Sequence, residues 1–326
     1  MASHMFCDGI ARRDFLKVGA LAGAGVSLAD YMALAHAGQV TESKGKAAIF
    51  IRLAGGPSHM DTFDLKPNSP ETHRGEFKEI STNVPGIRIS EHLPKLAKCA
   101  DKYAILRGVS HTLAAHGLGT TYLATGNRPL PSIQFPTYGS VVSKLKQAPK
   151  DMPPYVSIPS DINNTTGFLG LEYGPFETGS SPKANSRMDV RGLSLRGVTL
   201  EDVERRQNML KRYDNAFASV AKSDQMIAGM DQFGQRAFDM MRSTRTRDAF
   251  DLTKESDNIK QMFDDQSFSQ SCLLASRLVE AGSKFVTVQL GGWDTHSDNW
   301  NRLKTRQLPP LDAGLSGLLN ALEAKG

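Results

Sequence analysis

Three cysteines, two tryptophans and an aromatic content of 7 % are little for a chain of 326 residues. Cys7, Cys99 and Cys272 are too few and too scattered for a disulfide framework, and no CxxC pair offers a zinc site. Cys99 and Cys272 are therefore expected as buried free thiols. A run of one charge is missing as well. The 39 Lys and Arg against 34 Asp and Glu give a net charge of +5 and a pI near 9.0, but the two signs interleave. That pattern speaks against a surface that tracks a nucleic-acid backbone, so no nucleic-acid partner is expected. Long apolar runs are also absent. The longest, residues 18–28, is about half of what a membrane-spanning helix needs, and Asp30 ends it. No internal repeat occurs. What remains is an ordinary globular composition, 40 % hydrophobic and 22 % charged, with enough apolar content for a sizeable core.

The N-terminus carries an address. Residues 1–5 (MASHM) read as an expression-vector remnant. Arg12-Arg13-Asp14-Phe15-Leu16-Lys17 precedes the apolar stretch 18–28, and Ala35-His36-Ala37 supplies small residues where a signal peptidase reads. This resembles a twin-arginine export signal, with Ala11 where Ser or Thr is usual. The competing reading is an amphipathic helix of the mature fold. The expectation is a periplasmic or secreted protein with no transmembrane segment in the mature chain. Residues 1–37 would be remnant and signal, and 38–326 one α/β domain with a loop-and-helix insertion at 161–250.

Within that domain, residues 47–53, 103–106, 155–158 and 285–290 are short apolar runs bounded by turn residues, as expected of buried parallel strands. Helical spacing predicts helices near 93–100, 118–125, 139–146, 267–282 and 311–325, with Gly282 as a stop. A longer helix-forming stretch at 200–245 carries a stripe that includes Met209, Met226 and Met230, read as core or helix-pair contact. Strands alternating with helices predict a mostly parallel sheet flanked by helices. Its ligand site is expected beyond the carboxyl ends of the strands.

Three segments bring polar groups to that end. The first is Gly55-Gly56-Pro57-Ser58-His59-Met60-Asp61-Thr62-Phe63-Asp64, in which a glycine turn could face Ser, His and Asp into one crevice, or Asp64 could merely cap a turn. In the second, Ser110-His111-Thr112 and then His116-Gly117, the histidines suit a metal or an anion. His111 alone reads as an imidazole satisfied by backbone. The third is Trp293-Asp294-Thr295-His296 with Asp298, where a carboxylate and an imidazole at a strand end suit a divalent metal.

Taken together, Arg12-Arg13-Asp14-Phe15-Leu16, the 55–64 segment and Gly292-Trp293-Asp294-Thr295-His296 resemble the exported proteins grouped as domain of unknown function 1501. That family is related to the alkaline phosphatase and sulfatase superfamily. The resemblance implies an alkaline-phosphatase-like α/β fold and a divalent metal (Zn, Mn, Ca or Mg). It assigns a metal-ligand role to Asp61, with Asp64 and His59 as competitors, and to Asp294 and His296, although the usual Asp-x-x-x-His spacing is not kept. Sulfatases place their nucleophile nine residues before a Thr-Gly pair, and nine before Thr125 stands His116. His116 is then nucleophile or ligand, or catalysis has been lost; Ser110 and Thr112 are substitutes out of register. The resemblance also implies a further strand and ligand loop after Gly326, hence a site left incomplete in a truncated chain.

Two functions follow as expectations. One is metal-assisted hydrolysis of a phosphate or sulfate ester, with His116 attacking or orienting and Arg52, Arg107 or His111 neutralising the anion. The other is a non-catalytic exported protein that binds a glycan, a sulfated polymer or a protein partner through the 161–196 excursion.

Overall fold

The computed structural model describes residues 45–326 other than 114, 161–164, 191–200, 203–204, 206–207 and 210–235. The chain divides into two units, Met1–Lys46 and Ala47–Gly326, and the second holds the sheet and its helices. The twin-arginine segment and most of the methionine stripe lie outside the described residues.

Three of the four apolar runs form strands: β1 (Ala48–Leu53), β4 (Tyr155–Ile158) and β6 (Phe285–Leu290). Between them come the two-stranded antiparallel pair β2 (Glu79–Ser81) and β3 (Arg88–Ser90), and the short strand β5 (Phe176–Glu177). The main sheet has the order β1-β6-β4-β5, parallel throughout, so the last strand in sequence sits between the first and the fourth. The register pairs Ile49 with Val286 and Ile51 with Val288, while Val156 and Ile158 flank the same two valines. On these three strands one face is therefore wholly aliphatic, and β5 adds Phe176 beside Val156. The other carries Phe50 and Arg52 beside Thr287 and Gln289, with Tyr155 donating to or accepting from Thr287 at 3.4 Å.

The aliphatic face shares its hydrophobic cluster with the long helix α5 (Ser267–Ala281), whose Leu273, Leu274 and Leu278 are buried. Full burial of each such leucine contributes about 1.5–3 kcal/mol. Gly282 ends α5 in a left-handed conformation, φ 118°, and Ser283 N–H returns to the Leu278 carbonyl at 3.0 Å, closing the last turn. The C-terminal helix α7 (Leu308–Lys325) packs on α5. It starts three residues before the periodicity indicates, because Pro309 and Pro310 occupy its first turn, where no intrahelical N–H is needed.

The helix expected at 93–100 is split into α1 (Pro94–Ala97) and a 3-10 turn, Ala100–Lys102. Asp312 of α7 reaches the free end of α1 and accepts from the Lys95 and Leu96 N–H groups at 3.0 and 2.8 Å. Residues 103–106 form no strand. Tyr103 and Ile105 pack against the core while Leu106 is exposed, so the alternation is real but no neighbouring strand pairs with it. The remaining helices that matter are α2 (His116–Thr125), α3 (Tyr138–Leu145), α4 (Thr244–Ala249) and α6 (Asn299–Arg302). The described part of the 161–196 excursion is anchored to the body: Met188 N–H donates to the Phe250 carbonyl and Leu252 N–H to the Ser186 carbonyl. Cys99 and Cys272 are separate buried thiols, as expected. Among the described residues no helix is long and apolar enough to cross a membrane.

Candidate functional site

β1 and β6 run side by side and parallel, so the loops that leave their carboxyl ends must emerge together. Ala54 N–H donates to the Leu290 carbonyl at 3.0 Å and Trp293 N–H to the Ala54 carbonyl at 3.2 Å, which carries the pairing past the strands. Gly55 then turns with φ 115°, and a Cβ there would collide with the Asp294 backbone N. Only glycine fits on both counts. The two loops touch at Gly55 and Asp294 because Gly55 puts no side chain between them.

Asp294 is the centre of the arrangement. Its Oδ2 is 3.1 Å from Nε2 of His116, the first residue of α2, and its Oδ1 is 2.9 Å from Nε2 of His296. One half-exposed carboxylate thus holds two exposed imidazoles, one from its own loop and one from a distant helix. Among the described residues no group of three or more His, Cys, Asp and Glu forms a ready-made metal cage. Each imidazole Nε2 faces a different oxygen of Asp294. The donor set itself, two imidazole nitrogens and a carboxylate, has the chemistry of a zinc or manganese site. The side chains of His116 and His296 are 66 and 84 % exposed, so both rings are open to solvent.

Asp61 lies beneath this layer. The 3-10 turn His59–Asp61 buries its carboxylate at 5 % exposure while leaving His59 exposed. Trp300 Nε1 donates to Asp61 Oδ1 at 3.0 Å, and Asn299 Nδ2 reaches Oδ2 at 3.5 Å. Asn299 also accepts from the Thr295 hydroxyl. Asp61 is in this way tied to the residue between Asp294 and His296. A second brace comes from Gln307, whose Nε2 donates to the Gly292 carbonyl at 2.7 Å.

Asp64 belongs to a different cluster. Lys66 Nζ lies at 2.7 Å and Arg107 Nε at 3.2 Å, and Arg107 also donates to the Phe63 carbonyl. The Lys66 hydrogen bond, with the charges of Lys66, Arg107 and His59, holds the Asp64 carboxyl below its ordinary range. These groups edge a groove of about 850 Å³, whose wall also includes Ser110. Thr112 is exposed. His111 turns to its own loop, where Nδ1 accepts from Leu113 N–H at 3.1 Å and the ring meets Tyr122 edge-on. Arg52 is buried in β1 in register with Gln289.

The structure therefore brings together His116, Asp294 and His296, places Asp61 as their support, and gathers His59, Asp64 and Arg107 at the groove. A model of the family described as "protein of unknown function (DUF1501)" matches residues 45–326. The chain belongs to the DUF1501 family. Neither a curated protein nor a solved structure matches it. The DUF1501 match spans the strands, both loops and α2. Within it, the sequence reading had no grip on Asn299, Trp300, Lys66 and Gln307. Trp300 alone offered a signal, as one of two tryptophans that flank the Asp294 loop.

Proposed function

We propose that the Asp294 centre hydrolyses an anionic ester, phosphate or sulfate, with a divalent metal, on an alkaline-phosphatase-like scaffold outside the cytoplasm. One observation carries this reading: a carboxylate at the carboxyl end of the central strand holds two imidazoles at 3.1 and 2.9 Å. His116, His296 and Asp294 would hold the ion. A bound divalent ion supplies positive charge for the ester oxygens and makes water more acidic. Asp294 orients both histidines through their Nε2 atoms. Asp61 holds the loop through Trp300 and Asn299. Arg107 and Lys66 place positive charge at the neighbouring groove.

The test is metal content by mass spectrometry, together with turnover of aryl phosphates and aryl sulfates, on the wild-type chain and on Asp294→Ala/His296→Ala. Stoichiometric metal and turnover that both vanish in the variant are expected. A metal-free wild-type chain that turns over neither ester sinks the proposal.

A second reading, an exported binder, draws on a cavity of about 570 Å³ where the excursion meets the proline-rich crossing, lined by Leu130, Phe135, Thr165, Thr166 and Leu171 among others. It gains if glycan or sulfated-polymer binding is lost on Leu171→Asp and unaffected by Asp294→Ala.

A further inference from the structure

The groove beside Asp64 has a composition that the hydrolase reading does not require. Its wall is apolar, built from Phe63, Leu96, Tyr103, Ile105 and Leu315, and it ends in Leu106 and Val109, which are 82 and 81 % exposed. Its polar groups cluster at one end. Lys66 and Arg107 share the single carboxylate that lines it, Asp64, and His59 stands with them. The Lys66 hydrogen bond keeps Asp64 ionised, so two cations face one anion and the end is positive. Tyr103 stays a neutral phenol, since burial pushes it up to about 12.

The groove is also continuous with the candidate centre along the chain. Pro57 and His59 line it, while Gly55 in the same loop touches Asp294. Ser110 lines it, and the same segment leads to His116 on Asp294. An apolar trough with a cationic end, built from the same loops that carry the candidate centre, fits a ligand of matching polarity. We infer that this groove seats the alkyl or aryl portion of a monomeric amphiphilic sulfate or phosphate ester, with Lys66 and Arg107 drawing the anionic head. The inference rests on the hydrolase reading and names its substrate class. Apolar burial predicts an affinity that rises about fourfold for each added methylene.

Calorimetric titration with hexyl, octyl and decyl sulfate, below their micellar concentrations, tests this on the metal-free chain. Affinity should climb along the series, and octyl glucoside, with the same tail and a neutral head, should bind at least about fivefold more weakly. Leu106→Asp/Val109→Asp changes two exposed side chains and should lose at least about tenfold with the far-ultraviolet spectrum unchanged. Lys66→Gln/Arg107→Gln should erase the preference for the sulfate head. Asp294→Ala should bind as the wild type does, which separates the groove from hydrolysis. An affinity indifferent to chain length, or equal binding by the Leu106/Val109 variant, overturns the inference even if metal and turnover are found. A wild-type chain that holds no metal and turns over neither ester, yet shows this binding, overturns only the hydrolase reading.

Discussion

The two ends of the α/β unit treat their charges in opposite ways. On the helical side, Glu255 is 7 % exposed and takes Arg277 at 3.0 Å and Lys325 at 2.9 Å, and Arg277 also donates to the Asp248 and Ala249 carbonyls. Asp312, equally enclosed, accepts two backbone N–H groups of α1. Glu255 and Asp312 are thus spent on holding distant segments together. On the loop side, Asp294 and its two histidines remain in contact with solvent, and what holds them is mostly backbone and a buried neighbour, Asp61. Buried charges that are fully paired are costly to break, whereas exposed ones contribute little to stability. The difference separates a frame from a working surface.

The largest effect on stability is expected from Glu255→Ala, which leaves two nearly buried cations without their common carboxylate. It should cost about 3 kcal/mol, read by denaturant unfolding. The same group gives a pH test. Burial pushes the Glu255 carboxyl up, but the hydrogen bonds from Lys325, Ser256 and Arg277 outweigh it, and the net value lies below the ordinary 4.5. A depressed folded value means that its contribution is present above that pH and is lost as pH falls through the lowered value. Unfolding measured from pH 6 down to pH 3 should show that slope, and Glu255→Gln should flatten it.

Gly55→Ala comes next. A Cβ at φ 115° against the Asp294 backbone should cost about 2–3 kcal/mol and displace the loop, so metal binding should fall with stability. Trp300→Phe removes one donor from buried Asp61 and should cost about 1–2 kcal/mol, with metal affinity weakened but not abolished. Asp294→Asn should be the mildest for the fold, within about 0.5 kcal/mol by thermal unfolding, while removing metal and turnover altogether. If Asp294→Asn instead destabilises as much as Glu255→Ala, the division between frame and working surface is wrong.

Much of the frame was legible in the sequence, and for local reasons. The runs AIFIRL, YVSI and FVTVQL are aliphatic enough to be buried on a parallel sheet, and they are its three main strands. Gly282 marks the end of α5 because the left-handed turn there excludes a side chain. Residues 103–106 show the limit of the same signal. Alternation reports that one side is buried, not that a neighbouring strand supplies hydrogen bonds.

The working surface divides in the same way. Asp294 and His296 follow the best strand directly, so their place at its carboxyl end could be read from the chain. That His116, and not His111, completes the group depended on where α2 begins and which way each ring turns. Asp61 was a candidate ligand by family resemblance; the tertiary structure sets its oxygens against Trp300 and Asn299. The reason is general. Burial patterns and turn residues act over a few positions and leave their mark in the local sequence. Which loops meet is decided by strand order, and β6 lies next to β1 only because the whole sheet assembles that way. The sequence by itself determined the three main strands, the helix stop at Gly282, the free thiols and the strand-end Asp294 and His296; the meeting of His116 with Asp294, the burial of Asp61 and the groove were decided by the packing of distant segments.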